Sequence, residues 1–289
     1  MALLDEGDEV VIFSPYWVTY SEIVSLAGGV PVDVFAGIEN DYKVTAEQVG
    51  AAITEKTKLV LFSSPCNPTG SVYLEEELAA IAKVIGQHEQ VYVISDEIYE
   101  YINFTGKHCS IGTFDAVKER TITVNGFAKG YAMTGWRLGY IGAPLIVAKA
   151  CAKHQGQVTS GANAFAQKAA VTALLADLTP TYKMREEFLR RRNMVIGLLR
   201  KIPGLKVNEP EGAFYVFPDI SNFMGKKVGD MVINNSEDFC LYMLNHAHVA
   251  LVAGGAFGAE GYFRMSYAAS EAQLREAISR IKKAISQLA

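Results

Sequence analysis

Leu59-Val60-Leu61-Phe62-Ser63-Ser64-Pro65-Cys66-Asn67-Pro68-Thr69-Gly70 is followed by the helix-periodic stretch Glu75–Gln87 and then by Val91-Tyr92-Val93-Ile94-Ser95-Asp96-Glu97-Ile98-Tyr99. Two short apolar runs flank a segment whose apolar residues recur at helical spacing, and each run ends in turn-forming residues. This is the pattern of a strand–helix–strand unit in which the strands are covered on both faces, so they read as continuous rather than alternating apolar runs. Asn67-Pro68-Thr69-Gly70 has the composition of a turn, after which Ser71 or Tyr73 is expected to open the helix.

The same rhythm extends in both directions. Further short apolar runs predict strands at Glu9–Phe13, Pro31–Phe35, Thr121–Asn125 and Arg137–Ile141, and Ala46–Thr54 carries another helical pattern. The expected fold class is therefore α/β, a mostly parallel sheet with helices on both faces. After this region the rhythm changes. A long amphipathic stretch, Thr181–Lys201, leads to the strand-like Gly212-Ala213-Phe214-Tyr215-Val216-Phe217, and the chain finishes with a helix over Ser270–Leu288. We expect two units, a large domain over residues 1–178 and a smaller α+β C-terminal domain over 179–289.

The chain has 289 residues, half of them hydrophobic, and a formal net charge of −4. That length can bury a large core. The charge offers no basic footprint for nucleic acid or an anionic membrane, and no run of about 20 apolar residues would span a bilayer. Arg190-Arg191-Arg192 is expected to decorate a solvated helix face. Cys66, Cys109, Cys151 and Cys240 lie far apart, with no Cys-x-x-Cys spacing and no leader-like start, which suits unpaired thiols in a cytoplasmic protein. The five histidines include one close couple, His246 and His248, with no carboxylate cluster nearby in sequence, so no metal is expected.

Chemistry concentrates where strands end. Asn67, Asp96 and Lys129 each follow a predicted strand, and the carboxyl edge of an open α/β sheet is where loops converge on a ligand. Lys129 lies in Asn125-Gly126-Phe127-Ala128-Lys129-Gly130-Tyr131-Ala132-Met133-Thr134-Gly135-Trp136-Arg137-Leu138-Gly139. On a strand-to-helix connection such a lysine can form a Schiff base with an aldehyde cofactor, an acid can hold a pyridinium proton, and Arg137 can grip a phosphate. Gly126, Ala128 and Gly130 are small enough for close backbone approach.

These three segments, in this order, resemble the fold-type I, class I aminotransferases that depend on pyridoxal 5'-phosphate, most of all the bacterial aspartate aminotransferase branch, and the resemblance runs from Ala2 to the end of the chain. It implies a transferase whose large domain binds the cofactor. Lys129 is then the covalent anchor and proton carrier, and Asp96 the partner of the pyridine nitrogen. Tyr99 and Asn67 are implied donors to the phenolic oxygen, Trp17 the aromatic stacked on the ring, Arg137 the phosphate clamp and Arg264 the clamp on the substrate α-carboxylate. The resemblance further implies a homodimer in which Thr159-Ser160-Gly161-Ala162-Asn163 approaches the neighbouring site. Gly254-Gly255-Ala256-Phe257-Gly258 is glycine-rich but lacks the strand–helix context of a dinucleotide fingerprint, so it reads as an active-site loop, although relatives usually have Pro-Gly at its start. Family members carry a long segment before the equivalent of Ala2. The chain therefore looks truncated and is expected to begin within a helix.

Each residue also has a blander reading. Alone, Asp96 reads as a helix N-cap, Asn67 as a turn residue, Tyr99 and Trp17 as packing aromatics, Lys129 as a solvated cation and Arg264 as a surface ion-pair partner. Where relatives place hydroxyl residues beside the lysine, Gly126 and Ala128 stand here, so phosphate binding leans on backbone groups and Arg137. The expected activity is amino transfer between an L-amino acid, aspartate first, and a 2-oxo acid, 2-oxoglutarate first. The alternative is a non-catalytic cofactor-binding or dimerisation remnant.

Overall fold

The computed structural model describes residues 1–289. Its main element is a six-stranded sheet of β1 (Glu9–Ser14), β2 (Val30–Phe35), β3 (Thr57–Ser63), β4 (Tyr92–Asp96), β5 (Thr121–Gly126) and β6 (Gly139–Gly142), in the order β2-β1-β3-β4-β5-β6. The first five strands are mutually parallel and β6 runs antiparallel to β5. The helices before β5 are α1 (Thr19–Leu26), α2 (Ala46–Ala52) and α3 (Glu75–Ile85).

The two sheet faces bury separate sets of residues because successive strand side chains point in opposite directions. On one face Val11, Phe13, Val60, Phe62 and Val93 pack against Val49 of α2 and Leu78, Ile81 and Ile85 of α3. On the other, Val10, Ile12, Leu59 and Leu61 meet Tyr20 and Val24 of α1. This double burial explains the unbroken apolar runs in the sequence. Truncating a fully buried side chain such as Phe62 to alanine costs about 3–5 kcal/mol.

Local chemistry fixes the helix starts. Thr45 and Gln48 form a capping box for α2, and the Glu77 carboxylate accepts the Leu74 N–H at the mouth of α3, whose first turn also carries Glu75 and Glu76 against the positive end of the helix. Leu74, rather than Ser71 or Tyr73, therefore precedes the helix. Residues 1–8 are non-helical, contrary to the expected helix at the start.

Beyond the sheet come α4 (Leu145–Val158), α5 (Ala164–Leu175) and the long α6 (Thr179–Leu199). The C-terminal part adds β7 (Tyr215–Val216), the small hairpin β8 (Lys227–Val228) and β9 (Met231–Val232), α7 (Ser236–Tyr242), β10 (Val252–Ala253), β11 (Phe263–Ser266) and α8 (Glu271–Ile285). Strands β10, β11 and β7 form an antiparallel sheet, and Val195, Phe239, Phe263, Tyr267 and Ile281 are among the residues of its own core. Ser270 caps α8 in a capping box with Gln273.

The loop of Gly70 is one of the places where the two parts are fastened together. Gly70 carbonyl oxygen accepts both the Glu211 and Gly212 N–H groups, at 2.9 and 2.8 Å. The Asn208 side chain donates to Thr69 oxygen at 3.1 Å, and Ala213 N–H donates to Ile102 oxygen. Gly70 has φ +71°, and a Cβ there would lie 2.5 Å from the Pro210 side chain.

One expectation on this surface is corrected. The arginine triplet does not simply decorate a solvated face, because Arg192 is largely covered: it donates to Pro210 oxygen, pairs with Glu209 and lies 5.6 Å from the Phe104 ring centre. Arg190 does remain outside, paired with Glu187 and Glu271.

Candidate active site

The carboxyl ends of β1, β3, β4 and β5 lie along one edge of the sheet, and each is followed by a residue singled out in the sequence. Trp17 follows β1, Asn67 follows β3, Asp96 is the last residue of β4 with Tyr99 three positions on, and Lys129 follows β5. Asp96 is in register with Ser63 on one side and Val124 on the other. No helix follows it, so it is not an N-cap; the chain turns instead, and the Ile98 N–H donates to Asp96 Oδ1 at 3.1 Å.

The second carboxylate oxygen of Asp96 accepts a 2.6 Å hydrogen bond from the Tyr20 hydroxyl. Burial pushes the Asp96 pKa up, while Tyr20, the Ile98 N–H and the positive charge of Lys129 pull it back down. Burial, reinforced by the Asp96 charge, keeps the Tyr20 phenol protonated and thus a donor. Trp17 packs edge-on against Tyr20 with ring centres 5.7 Å apart and is 41 % exposed. Tyr20 was not anticipated; its only sequence signal was its place one helical turn after Trp17, on a helix too short to show a clear period.

Lys129 sits in a turn, half-buried, with Nζ 5.4 Å from the Phe214 ring centre and 5.7 Å from that of Tyr99. The connection is not strand-to-helix as expected: turns lead only to a short 3₁₀ segment, Thr134–Trp136. Burial lowers the Lys129 pKa, the positive charges of Arg264 and Arg137 lower it further, and Asp96 opposes them. The neighbouring glycines answer to packing. A Cβ on Gly126 would lie 2.9 Å from Gly139 Cα, and one on Gly130 would lie 2.6 Å from the Tyr101 ring.

Arg137 is placed differently from its sequence reading. It has φ +52°, incompatible with a strand, so β6 begins only at Gly139. Its guanidinium donates to Thr134 oxygen at 2.9 Å and borders a cleft of about 900 Å³. Thr159 and Asn163, in the loop between α4 and α5, line the same cleft.

Arg264, on β11, reaches across from the C-terminal part. It donates to Asn67 Oδ1 at 2.9 Å and lies between the rings of Tyr215 and Phe257, with its guanidinium carbon 4.5 and 4.9 Å from their centres. Its Nε–H is buried and has no acceptor. Phe257 belongs to the glycine-rich loop, whose Phe257 oxygen accepts the Tyr16 N–H. Tyr99 is buried, its hydroxyl 3.0 Å from that of Tyr215, a second residue the sequence did not single out.

A further cluster lies behind Asp96. Buried Glu97 accepts hydrogen bonds from Ser95 and Ser110 and meets His108 at 2.7 Å, with Glu100 close by. Sequence spacing did not reveal it because His108 and Ser110 come back to Glu97 from a separate stretch of irregular chain.

The donor set fits pyridoxal phosphate with an amino acid beside it. A largely buried carboxylate at Asp96 has only uncharged groups in direct contact, a buried guanidinium N–H at Arg264 lacks an acceptor, and between them stands a lysine disposed to lose its proton. The first calls for a cation such as a protonated pyridine, and the second for an anion such as a carboxylate.

An α/β sheet that gathers lysine, aspartate and asparagine at its carboxyl edge, beneath an arginine from a smaller C-terminal domain, defines the class of pyridoxal-phosphate-dependent transferases. The aminotransferase class I and II family matches residues 1–281, and the chain belongs to it. It is 45 % identical over 292 aligned residues to the bifunctional aspartate aminotransferase and glutamate/aspartate-prephenate aminotransferase of Petunia hybrida, covering 99 % of this chain and 60 % of that protein. It is 44 % identical to the aspartate/prephenate aminotransferase of Cereibacter sphaeroides, covering 98 % and 71 % respectively. Among solved structures, the aspartate aminotransferase of Rhizobium meliloti superposes with a TM-score of 0.96 at 42 % identity, over all of this chain and 73 % of that one. The chain thus spans about three fifths to three quarters of the length of these relatives. No helix is long and apolar enough to cross a membrane.

Proposed function

We propose that this chain forms the catalytic core of an aminotransferase that moves an amino group between an L-amino acid and a 2-oxo acid, with aspartate and 2-oxoglutarate as the leading pair. The observation that carries the proposal is the meeting of Lys129, Asp96 and Asn67 on one strand edge with Arg264, whose buried Nε–H lacks an acceptor. The names of the relatives described above support aspartate as the leading amino acid.

When bound, pyridoxal phosphate supplies an aldehyde that carries the amino group and a ring that withdraws electrons from the substrate α-carbon. The chain's own residues do the rest. Lys129 anchors the cofactor and, with its pKa lowered, serves as the amine that takes the proton from the α-carbon and returns it elsewhere. Asp96, oriented by Tyr20 and the Ile98 N–H, holds the proton on the pyridine nitrogen. Tyr99 and Asn67 hold the ring oxygen, Trp17 covers the ring face and Arg137 grips the phosphate. Arg264 orients the substrate through its α-carboxylate, a task that suits a planar guanidinium.

A homodimer completes the reading. Ile146, Phe165 and Leu175 on α4 and α5 are 75 to 82 % exposed, and Phe165 lines the cleft beside Trp136 and Arg137, apolar exposure of the kind that marks an interface.

The test is to mix the purified chain with pyridoxal phosphate and follow bound-cofactor absorbance on adding aspartate, then 2-oxoglutarate. The expected result is loss and recovery of the aldehyde-form absorbance. Absence of any change with aspartate, alanine or an aromatic amino acid would refute the proposal.

A further inference from the structure

Tyr215 stands where the chain passes from the loop that fastens the two parts together into the C-terminal sheet. Ala213, two residues earlier, is tied to Ile102, and Tyr215 itself is in register with Ser266 of β11, two positions from Arg264. Its side chain is 6 % exposed and touches both halves of the site. The hydroxyl meets that of Tyr99 at 3.0 Å, and the ring lies under the Arg264 guanidinium at 4.5 Å.

The protons decide what this contact does. Each phenol carries one proton, and in the Tyr99–Tyr215 pair either oxygen can accept. Neither hydroxyl has another hydrogen-bond partner, so once Tyr99 donates to a ligand the buried Tyr215 proton is satisfied only by donating to Tyr99. Burial raises the Tyr99 pKa, so Tyr99 keeps its own proton, and when its oxygen accepts from Tyr215 that proton points at the ligand. Had Tyr99 donated to Tyr215 instead, it would have nothing left to donate.

We infer that Tyr215 is a positioning residue that turns the Tyr99 hydroxyl into a dedicated donor toward the cofactor ring oxygen, while its ring seats Arg264 for the substrate carboxylate. One side chain thereby links the two binding subsites. The inference rests on the roles proposed above for Tyr99 and Arg264.

The two functions separate by substitution, since Tyr215→Phe removes the hydroxyl and keeps the ring, whereas Tyr215→Leu removes both. In Tyr215→Phe the pH midpoint of the bound-cofactor absorbance is expected to rise by about half to one unit, a ~3- to 10-fold change in proton affinity, because a donor to the ring oxygen's anion is weakened. The KM for the amino acid should stay close to wild type in that variant and rise in Tyr215→Leu. A purely structural role would not move the midpoint. In a Tyr99→Phe background Tyr215→Phe should add no further shift. An unchanged midpoint in Tyr215→Phe, or an equal shift with and without Tyr99, overturns the inference, as does failure of Tyr215→Phe to bind cofactor while Tyr99→Phe binds it. Failure of the underlying reading looks different: the unsubstituted chain itself would then show no cofactor absorbance fixed by borohydride at Lys129.

Discussion

Replacing Asp96 with asparagine tests the electronic centre of the site while changing its shape little. The carboxylate accepts two hydrogen bonds, from Tyr20 at 2.6 Å and from the Ile98 N–H at 3.1 Å. An asparagine can keep one of them through its oxygen and must turn an NH2 toward the other donor. The lost bond to a charged group is worth roughly 1.5–3 kcal/mol, which a domain stable by about 5–15 kcal/mol survives. The functional loss is larger, because a cation in the site loses its only carboxylate. Removing one partner of a buried pair costs roughly 3–5 kcal/mol, which corresponds to about two to four decades in rate at ~1.4 kcal/mol per decade. Rapid mixing of the cofactor-loaded variant with aspartate, followed by absorbance through a single turnover, measures that rate directly. Thermal unfolding should stay cooperative with its midpoint lowered by several degrees, and borohydride fixation at Lys129 should remain close to wild type. A folded, cofactor-loaded Asp96→Asn variant with a wild-type single-turnover rate would refute the role given to Asp96.

Lys129→Ala should abolish borohydride-stable attachment of the cofactor, detected by peptide mass mapping; an adduct on another lysine would count against the assignment. Arg264→Lys keeps a positive charge but loses the planar fork held between Tyr215 and Phe257, so the KM for the amino acid should rise by roughly one to two decades, as expected for a lost charge-assisted hydrogen bond of about 1.5–3 kcal/mol, with cofactor affinity unchanged in an absorbance titration. Asp41 offers a stability test: burial raises its pKa to about 6 against the opposing charge of Lys43. The folded chain therefore binds the Asp41 proton more tightly than the unfolded chain, and that stabilising contribution, complete below pH ~4, is lost as pH rises through about 6. Asp41→Asn, which also suits the left-handed backbone at φ +50°, should match the parent in urea unfolding near pH 4 and exceed it by roughly 1–2 kcal/mol at pH 7.5, after allowing for partial exposure.

The parallel sheet was legible because strands buried on both faces leave continuous apolar runs, and β1, β2 and β5 fall within one residue of their expected limits. Helices α4 and α5 were not, since Leu145, Ile146, Phe165 and Leu175 are exposed and the apolar positions follow no single inward stripe. Arg137 fell outside its expected strand because a left-handed residue leaves no mark in an arginine's sequence context. Among the candidate site residues, those with distinctive chemistry at strand ends were readable. Tyr20 and Tyr215 were hidden, because a tyrosine within an apolar segment looks the same whether it fills a core or directs a proton. Glu97 and His108 were hidden for a different reason: their contact joins points of irregular chain eleven residues apart.

Gly70 will mislead anyone who ranks positions by how badly the enzyme tolerates change. In a saturation screen it should score as severely as Lys129, although it has no side chain to take part in any reaction. With φ +71° and Pro210 in the space a methyl would fill, any substitution must push residues 210–212 away from the loop that carries Asn67. The Asn67–Arg264 contact spans the same boundary and would open with it. What such a variant loses is alignment between the two halves, so its signature is a lowered unfolding midpoint, from the strained backbone and the displaced contacts, with a cofactor spectrum near normal and weakened amino-acid binding. A screen scored on activity alone would record a catalytic residue where the molecule has a hinge pin.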